Sequence, residues 1–332
     1  MRISTGINGF GRFGLHLLKY WLDRGTHANF EINFINDDFL SINAVLEIIN
    51  SDKAVIFNKY KVSISGDNLV FLEPNGNKYC IRYTNTTKMD IPWLGKPEII
   101  LECSGKSTIS KDCEFYLIEN TKLVIISATS WDCEKILVYG FNHEEYNKNL
   151  KVISYGSCTV NAYVPLAGYI HKKYGVIDSD VNVTHNIQEY RLKDFNTLNR
   201  KFCTLEKVGP RVLGFLDANS FIVNYTVVPY SGISTIDFRF RLKNKVEKAK
   251  FIEELHHAVS DGDLKGLYDM DETDLGPEVY NCTTYSAVFV KDSIKVLNDN
   301  VYIFSYFDNE NSVNRYFDLV SYISGVVNST AG

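Results

Sequence analysis

Arg2-Ile3-Ser4-Thr5-Gly6-Ile7-Asn8-Gly9-Phe10-Gly11-Arg12-Phe13-Gly14 reads as a short strand running into three glycines, Gly9, Gly11 and Gly14, in G-x-G-x-x-G spacing. An apolar stripe follows at Leu15, Leu17, Leu18, Trp21 and Leu22, ending near Gly25. The stripe has the period of a helix, so the run predicts strand, tight turn and amphipathic helix in succession. A second strand, Phe30-Glu31-Ile32-Asn33-Phe34-Ile35, delivers Asn36-Asp37-Asp38, with Asp37 lying 37 − 14 = 23 positions after the last glycine. Glycines let a backbone meet a pyrophosphate at a helix N-terminus, and a carboxylate at this distance suits the ribose hydroxyls of a dinucleotide. Two adjacent carboxylates repel a 2′-phosphate, so the reading favours NAD over NADP.

Outward from this unit, strands such as Pro97 to Glu102 and Leu123 to Ser127, with Val62-Ser63-Ile64 as a shorter one, alternate with helical segments. The alternation predicts an α/β fold with a Rossmann-type doubly wound parallel sheet. The second half differs, with long strand-like runs at residues 221 to 228, 234 to 242, 285 to 290 and 301 to 306 and a helix at Lys248 to Asp261. These predict an α+β catalytic domain with a mostly antiparallel sheet. The stretch Val313 to Val327 reads as one amphipathic helix.

The chemistry-bearing pair is Cys158 and His185. Cys158 stands where an extended run gives way to a helix, and His185 follows at 185 − 158 = 27 positions in a strand-like segment. A thiol attacks as the thiolate, and both a helix N-terminus and an imidazole lower its pKa, so the placement suits a nucleophile with a base beside it.

Composition is that of a globular protein, 332 residues with 45% hydrophobic and 23% charged. A net charge of −5 gives no basic footprint, which argues against nucleic acid or an anionic membrane as main partner. There is no apolar run of membrane-spanning length, the start shows no signal peptide, and the seven cysteines are scattered without C-x-x-C spacing. They read as reduced thiols in a cytoplasmic protein. His256-His257 has no further Cys or His at ligand spacing, so no metal is expected.

Together these stretches resemble the phosphorylating glyceraldehyde-3-phosphate dehydrogenases. Ile7 to Gly14 is similar to that family's opening motif, Asn36-Asp37 to its ribose pair, and Glu102-Cys103-Ser104-Gly105 to its E-C-T-G turn. Ile126-Ser127-Ala128 resembles the strand that meets the nicotinamide, Gly140 to Glu144 the run that follows, and Ser157-Cys158-Thr159-Val160-Asn161 the nucleophile signature S-C-T-T-N. Tyr306 to Glu310 and Asn314-Arg315 resemble the closing W-Y-D-N-E and N-R motifs.

The resemblance implies an NAD-binding domain over 1 to 157, a catalytic domain over 158 to 312, and a C-terminal helix, 313 to 332, returning to the first. It implies Cys158 as nucleophile and His185 as base. Cofactor contacts fall to Gly9, Phe10, Gly11, Arg12, Phe13, Gly14, Asp37, Ser104, Ser127 and Asn309, the last on the nicotinamide carboxamide. Ser157 and Thr159 would help place inorganic phosphate. Partners would be a small aldehyde, phosphate and further copies of the chain in a homo-oligomer.

The departures cluster in one place. Gln188 and Tyr190 stand where the family has a threonine and an aspartate, and Val227 occupies the position of its phosphate-binding arginine. The chain between His185 and Pro229 is also shorter than the family pattern. Valine cannot replace a guanidinium that binds phosphate bidentately, so another cation must take over if a phosphate is held. Arg191, after the histidine, and Arg211, read as opening a helical run before Val212-Leu213, are the expected substitutes. Three functions fit: the family reaction with a rebuilt phosphate site, the same Cys-His-NAD chemistry on another aldehyde or acyl phosphate, or a non-catalytic NAD-binding regulatory protein.

Overall fold

Ile3 and Ile7 are buried on β1 (Ile3–Asn8), the strand from which the first sheet grows in both directions. The structure, a computed structural model, describes residues 2–25, 27–193 and 196–329. It divides into two units: Met1–Leu137, His143–Tyr155 and Tyr316–Gly332 in one, Val138–Asn142 and Gly156–Arg315 in the other.

In the first unit, β1 is joined by β2 (Phe30–Asn36), β3 (Lys61–Ser65), β4 (Asn68–Leu72), β5 (Lys78–Thr84), β6 (Ile99–Glu102), β7 (Leu123–Ile126), β8 (Lys135–Ile136) and β9 (Val152–Ser154). Their order is β3-β4-β5-β2-β1-β6-β7-β9-β8. Every ladder from β5–β2 through β9–β8 is parallel, and β3 and β4 add an antiparallel edge, so this is a doubly wound Rossmann-type sheet. The glycine turn leads into α1 (Arg12–Arg24), which buries Leu15, Leu17, Leu18, Trp21 and Leu22, the stripe read from the sequence. Burying each such leucine contributes about 1.5–3 kcal/mol relative to leaving it exposed. The next helix is α2 (Ile42–Ser51), capped by the Ser41 side chain.

The second unit opens with α3 (Cys158–Tyr174) and carries β10 (Val176–His185), β11 (Asn199–Arg200), α4 (Leu205–Leu213), β12 (Phe221–Val227), β13 (Ser234–Leu242) and α5 (Lys248–Ser260). It continues with β14 (Tyr268–Asp271), β15 (Ala287–Val290), β16 (Lys295–Leu297) and β17 (Asn300–Phe307). The order is β11-β12-β10-β13-β17-β15-β14, with β16 on β17. The sheet is mostly antiparallel, the exceptions being β10 with β12 and β14 with β15. Tyr163 of α3 stacks on Phe221 and Phe240, with ring centroids 4.9 and 5.7 Å apart.

The closing helix, α6 (Asn309–Ser329), begins a turn earlier than the sequence reading at Val313. Asp308 caps it: its Oδ1 accepts from the Asn311 backbone amide at 2.5 Å, so the end of the stretch that resembles the closing motif is the helix start. No helix among the described residues is long and apolar enough to cross a membrane.

Candidate active site

The turn into α3 is built for a residue presented at a helix start. Gly156 has φ +89°, and a Cβ on it would stand 2.8 Å from Val160, so glycine is required. Ser157 is the N-cap, with extended backbone and its Oγ 3.4 Å from the Val160 amide. Cys158 is therefore the first residue of the helix. Pro165 lies inside α3 and lacks the amide that would bond the Asn161 carbonyl. The Tyr268 hydroxyl inserts at this break, accepting from Leu166 N at 3.1 Å and lying 2.9 Å from the Ala162 carbonyl and 3.3 Å from that of Asn161.

His185 closes β10, and its Nε2 lies 3.7 Å from the Cys158 Sγ. Its Nδ1 is 2.8 Å from the Asn186 carbonyl, the contact that turns Nε2 toward sulfur. Tyr225 and Phe307 bracket the imidazole, with ring centroids 5.5 and 5.8 Å away. Burial pushes the His185 pKa down, against hydrogen bonds to the Asn186 carbonyl and the Asn309 side chain. Asn309, expected on the nicotinamide, is here a neighbour of the imidazole.

The expectation of a lowered thiol pKa is corrected. Although Cys158 as a residue is only half-buried, burial of its sulfur pushes the thiol up, and the nearby Cys203 adds to the shift. Loss of hydration outweighs the favourable helix end. Both shifts favour the uncharged forms of the thiol and the imidazole.

A cavity of about 340 Å³ opens beside His185. Val227, Tyr225, Asn186 and Ile187 form one part of its lining, and Gln188, Arg191, Lys201 and Asn309 the rest. Gln188 and Arg191 thus both line it, while the Tyr190 side chain lies outside the described residues. Arg211 is not in the lining. It sits in the last turn of α4 rather than opening a helix, because α4 starts at Leu205 and the residues read as its beginning are its end. Lys201, by contrast, lines the cavity. Ser157 and Thr159 do not line the cavity either: the Thr159 hydroxyl is buried, 3.1 Å from Ser157 Oγ and 3.5 Å from Cys203 Sγ.

Period-two spacing from Val227 could have identified Tyr225. Lys201 follows the two-residue strand β11, which is too short to carry a pattern that would single it out from the other cations of this half.

The first unit holds the residues expected on the dinucleotide. Gly9 has φ +92°, and its missing Cβ would fall 2.3 Å from the Ser104 backbone; that of Gly14 would fall 2.5 Å from the Gly9 carbonyl. Around the Cβ position of Gly11 there is open space, and α1 starts there without a side-chain cap. An uncapped helix start beside open space fits a pyrophosphate. The Arg12 guanidinium is ion-paired with Asp52, and the Phe13 ring packs between Tyr155 and Tyr316, so these two residues offer backbone rather than side chain. Ser104 binds the Glu102 carboxylate, and the Ser127 amide donates to the Glu102 carbonyl at 2.9 Å.

Asp37 is buried and braces this turn, accepting from the amides of Phe10 at 2.7 Å, Leu40 at 2.8 Å and Phe39 at 2.9 Å. Asp38 is paired with Lys106 at 2.7 Å, and both line a small cavity with Gly9, Ser104 and Lys88. The picture of two bare carboxylates facing the ribose therefore needs correction: one carboxylate is held by amides and the other is neutralised by an ammonium. Among the described residues no group of three or more His, Cys, Asp or Glu is placed to hold a metal ion; His256 and His257 are exposed on α5.

No protein-family model matches the chain. It is 29% identical over 345 residues to glyceraldehyde-3-phosphate dehydrogenase of Podospora anserina, a match covering 98% of each chain. Along nearly its full length the chain is thus similar to proteins named glyceraldehyde-3-phosphate dehydrogenase. The proteins of that name from Glossina morsitans morsitans and Geobacillus stearothermophilus are 29% and 27% identical to it, again over nearly the full length of both chains. The likeness to these dehydrogenases thus spans both units.

Proposed function

We propose that the protein is an NAD-dependent phosphorylating aldehyde dehydrogenase that oxidises an aldehyde through a Cys158 thioester to an acyl phosphate. The observation that carries this reading is the 3.7 Å approach of Cys158 Sγ to His185 Nε2 at the start of α3. His185 Nε2 takes the thiol proton, and Sγ adds to the aldehyde carbon to give a thiohemiacetal whose oxygen then bears a proton. The Cys158 backbone amide, at the helix start, stabilises negative charge on that oxygen. His185, returned to its neutral form, next removes the hydroxyl proton while the carbonyl re-forms as a thioester. When bound, NAD accepts the hydride lost in that step. Attack by a phosphate oxygen on the thioester carbon releases the acyl phosphate, and Cys158 regains its proton.

Gly9, Phe10, Gly11, Arg12, Phe13 and Gly14 would hold the pyrophosphate through backbone, Asp37 the ribose, and Ser104, Ser127 and Asn309 further parts of NAD. We place the protein in the cytoplasm as a homo-oligomer, by its likeness to the family. A second reading, the same chemistry on another aldehyde, is favoured by Val227 and Gln188 in the lining of the cavity. The test is NADH formation with glyceraldehyde 3-phosphate and a panel of other aldehydes under matched phosphate, with mass-spectrometric trapping of an acyl group on Cys158. Absence of both NADH and the acylated cysteine for every aldehyde would falsify the reading.

A further inference from the structure

We propose that Lys201, with Arg191, forms the anion-binding end of the substrate cavity, so that the protein selects an aldehyde whose far end carries a phosphate or carboxylate. The inference rests on Cys158 and His185 being the reacting pair.

The geometry comes from three adjacent strands. Across the parallel ladder of β10 and β12, His185 lies opposite Val227 and Val183 opposite Tyr225. On the other side of β12, Asn199 of β11 lies opposite Val227, and the Lys201 amide donates to the Tyr225 carbonyl at 3.1 Å. Residues opposed across a ladder share a face, as do residues two apart along a strand. His185, Tyr225, Val227 and Lys201 therefore share one face of the sheet, and all four line the same cavity. Lys201 stands two strand spacings from β10, roughly 9–10 Å, a span that a short carbon chain and the lysine side chain together can bridge.

Arg191 adds a second positive charge from the turn that follows His185, and it lines the same cavity. The position that resemblance assigns to an arginine is thus filled by valine, while the neighbouring strand brings a cation to the same face. The exchange alters specificity. A guanidinium fits a phosphate bidentately, whereas an ammonium is a point charge that accepts phosphate or carboxylate alike.

Anion binding is measured by calorimetry on Cys158→Ser protein, using glycerol 3-phosphate and succinate as unreactive probes. The tighter of the two tells phosphate from carboxylate. Lys201→Met, made in the same background, should weaken the tighter anion about 10- to 100-fold, and Lys201→Arg should restore most of the affinity. In protein with Cys158 intact, Lys201→Met should raise KM for glyceraldehyde 3-phosphate or succinic semialdehyde while leaving KM for butanal unchanged. Lys201→Met binding both anions within twofold of its parent, or raising KM for all three aldehydes alike, overturns the proposal. If Lys201-dependent anion binding is seen but the intact protein turns over no aldehyde, the reaction assignment falls and the anion site stands. Turnover through Cys158 with no anion dependence on Lys201 overturns the anion site and leaves the reaction assignment standing.

Discussion

Cys158 Sγ and His185 Nε2 lie 3.7 Å apart although 27 positions separate them, one on the first residue of a helix and the other on the last residue of a strand. Cys158→Ser should abolish NADH formation while leaving NAD affinity within about twofold by calorimetry. His185→Asn should cost about 10²- to 10⁴-fold in turnover, because the proton acceptor is lost while the thiol remains. Undiminished turnover in either variant rules out its assigned role.

The pair also fixes a pH dependence. His185 must be neutral to accept a proton, and its pKa lies below the ordinary 6.5. The acid limb of kcat/KM should therefore fall below pH 6.5 rather than at it. The thiol is shifted the other way, above the ordinary 9.0, so alkylation of Cys158 by iodoacetamide in the ligand-free protein should still be accelerating beyond pH 9. A rate that levels off near pH 7 would show a thiolate already formed.

Asp38 and Lys106 make the cofactor preference adjustable. In the parent protein the Asp38 charge offsets the ammonium, and NAD should be preferred over NADP. Asp38→Ala leaves Lys106 available to a 2′-phosphate, so the kcat/KM ratio of NADP to NAD should rise about tenfold, an ion-pair-sized effect that high salt erases. A ratio within twofold of the parent would place the 2′ position elsewhere.

Restoring a guanidinium should act at the opposite end of the substrate. Val227→Arg is expected to lower KM for glyceraldehyde 3-phosphate about tenfold while KM for butanal stays within twofold. An equal change for both aldehydes would mean the substitution only reshapes the cavity.

Asp308 provides a prediction about stability. Burial, with Glu310 adding to it, pushes its carboxyl up to about 8. A raised folded pKa leaves stability untouched at low pH, where both states are protonated. Stability is then lost progressively as pH rises from the ordinary 3.8 through about 8. Asp308→Asn keeps an acceptor for the Asn311 amide, so its Tm should exceed the parent's at pH 9 and nearly equal it at pH 4. Equal differences at both pH values would refute the buried proton.

The glycine turn is legible in the sequence because strand, glycines and helix are contiguous: Gly14 is required by the nearby Gly9 carbonyl, whereas the close approach of the Ser104 backbone to Gly9 is a distant contact that shows in the sequence only as the glycine itself. Cys158 and His185 are legible as a motif and an interval. What escapes such reading depends on distance. The Asp38–Lys106 pair joins residues 68 positions apart, Lys201 reaches its place through a two-residue strand, and the upward shift of the thiol reflects burial that no spacing records. Arg211 lies elsewhere than its local sequence predicts because a helix end and a helix start look alike when only the apolar pair Val212-Leu213 is read.

The parallel pairing of β10 with β12 has a consequence for how such a protein can change. The ladder, not the intervening chain, sets Val227 against His185, so residues between these strands can be removed without moving either. Selection can then cut and retailor that connection, trading one cation for another, while the reacting thiol and imidazole stay fixed. The catalytic pair and the specificity determinants are thus separable traits of one sheet.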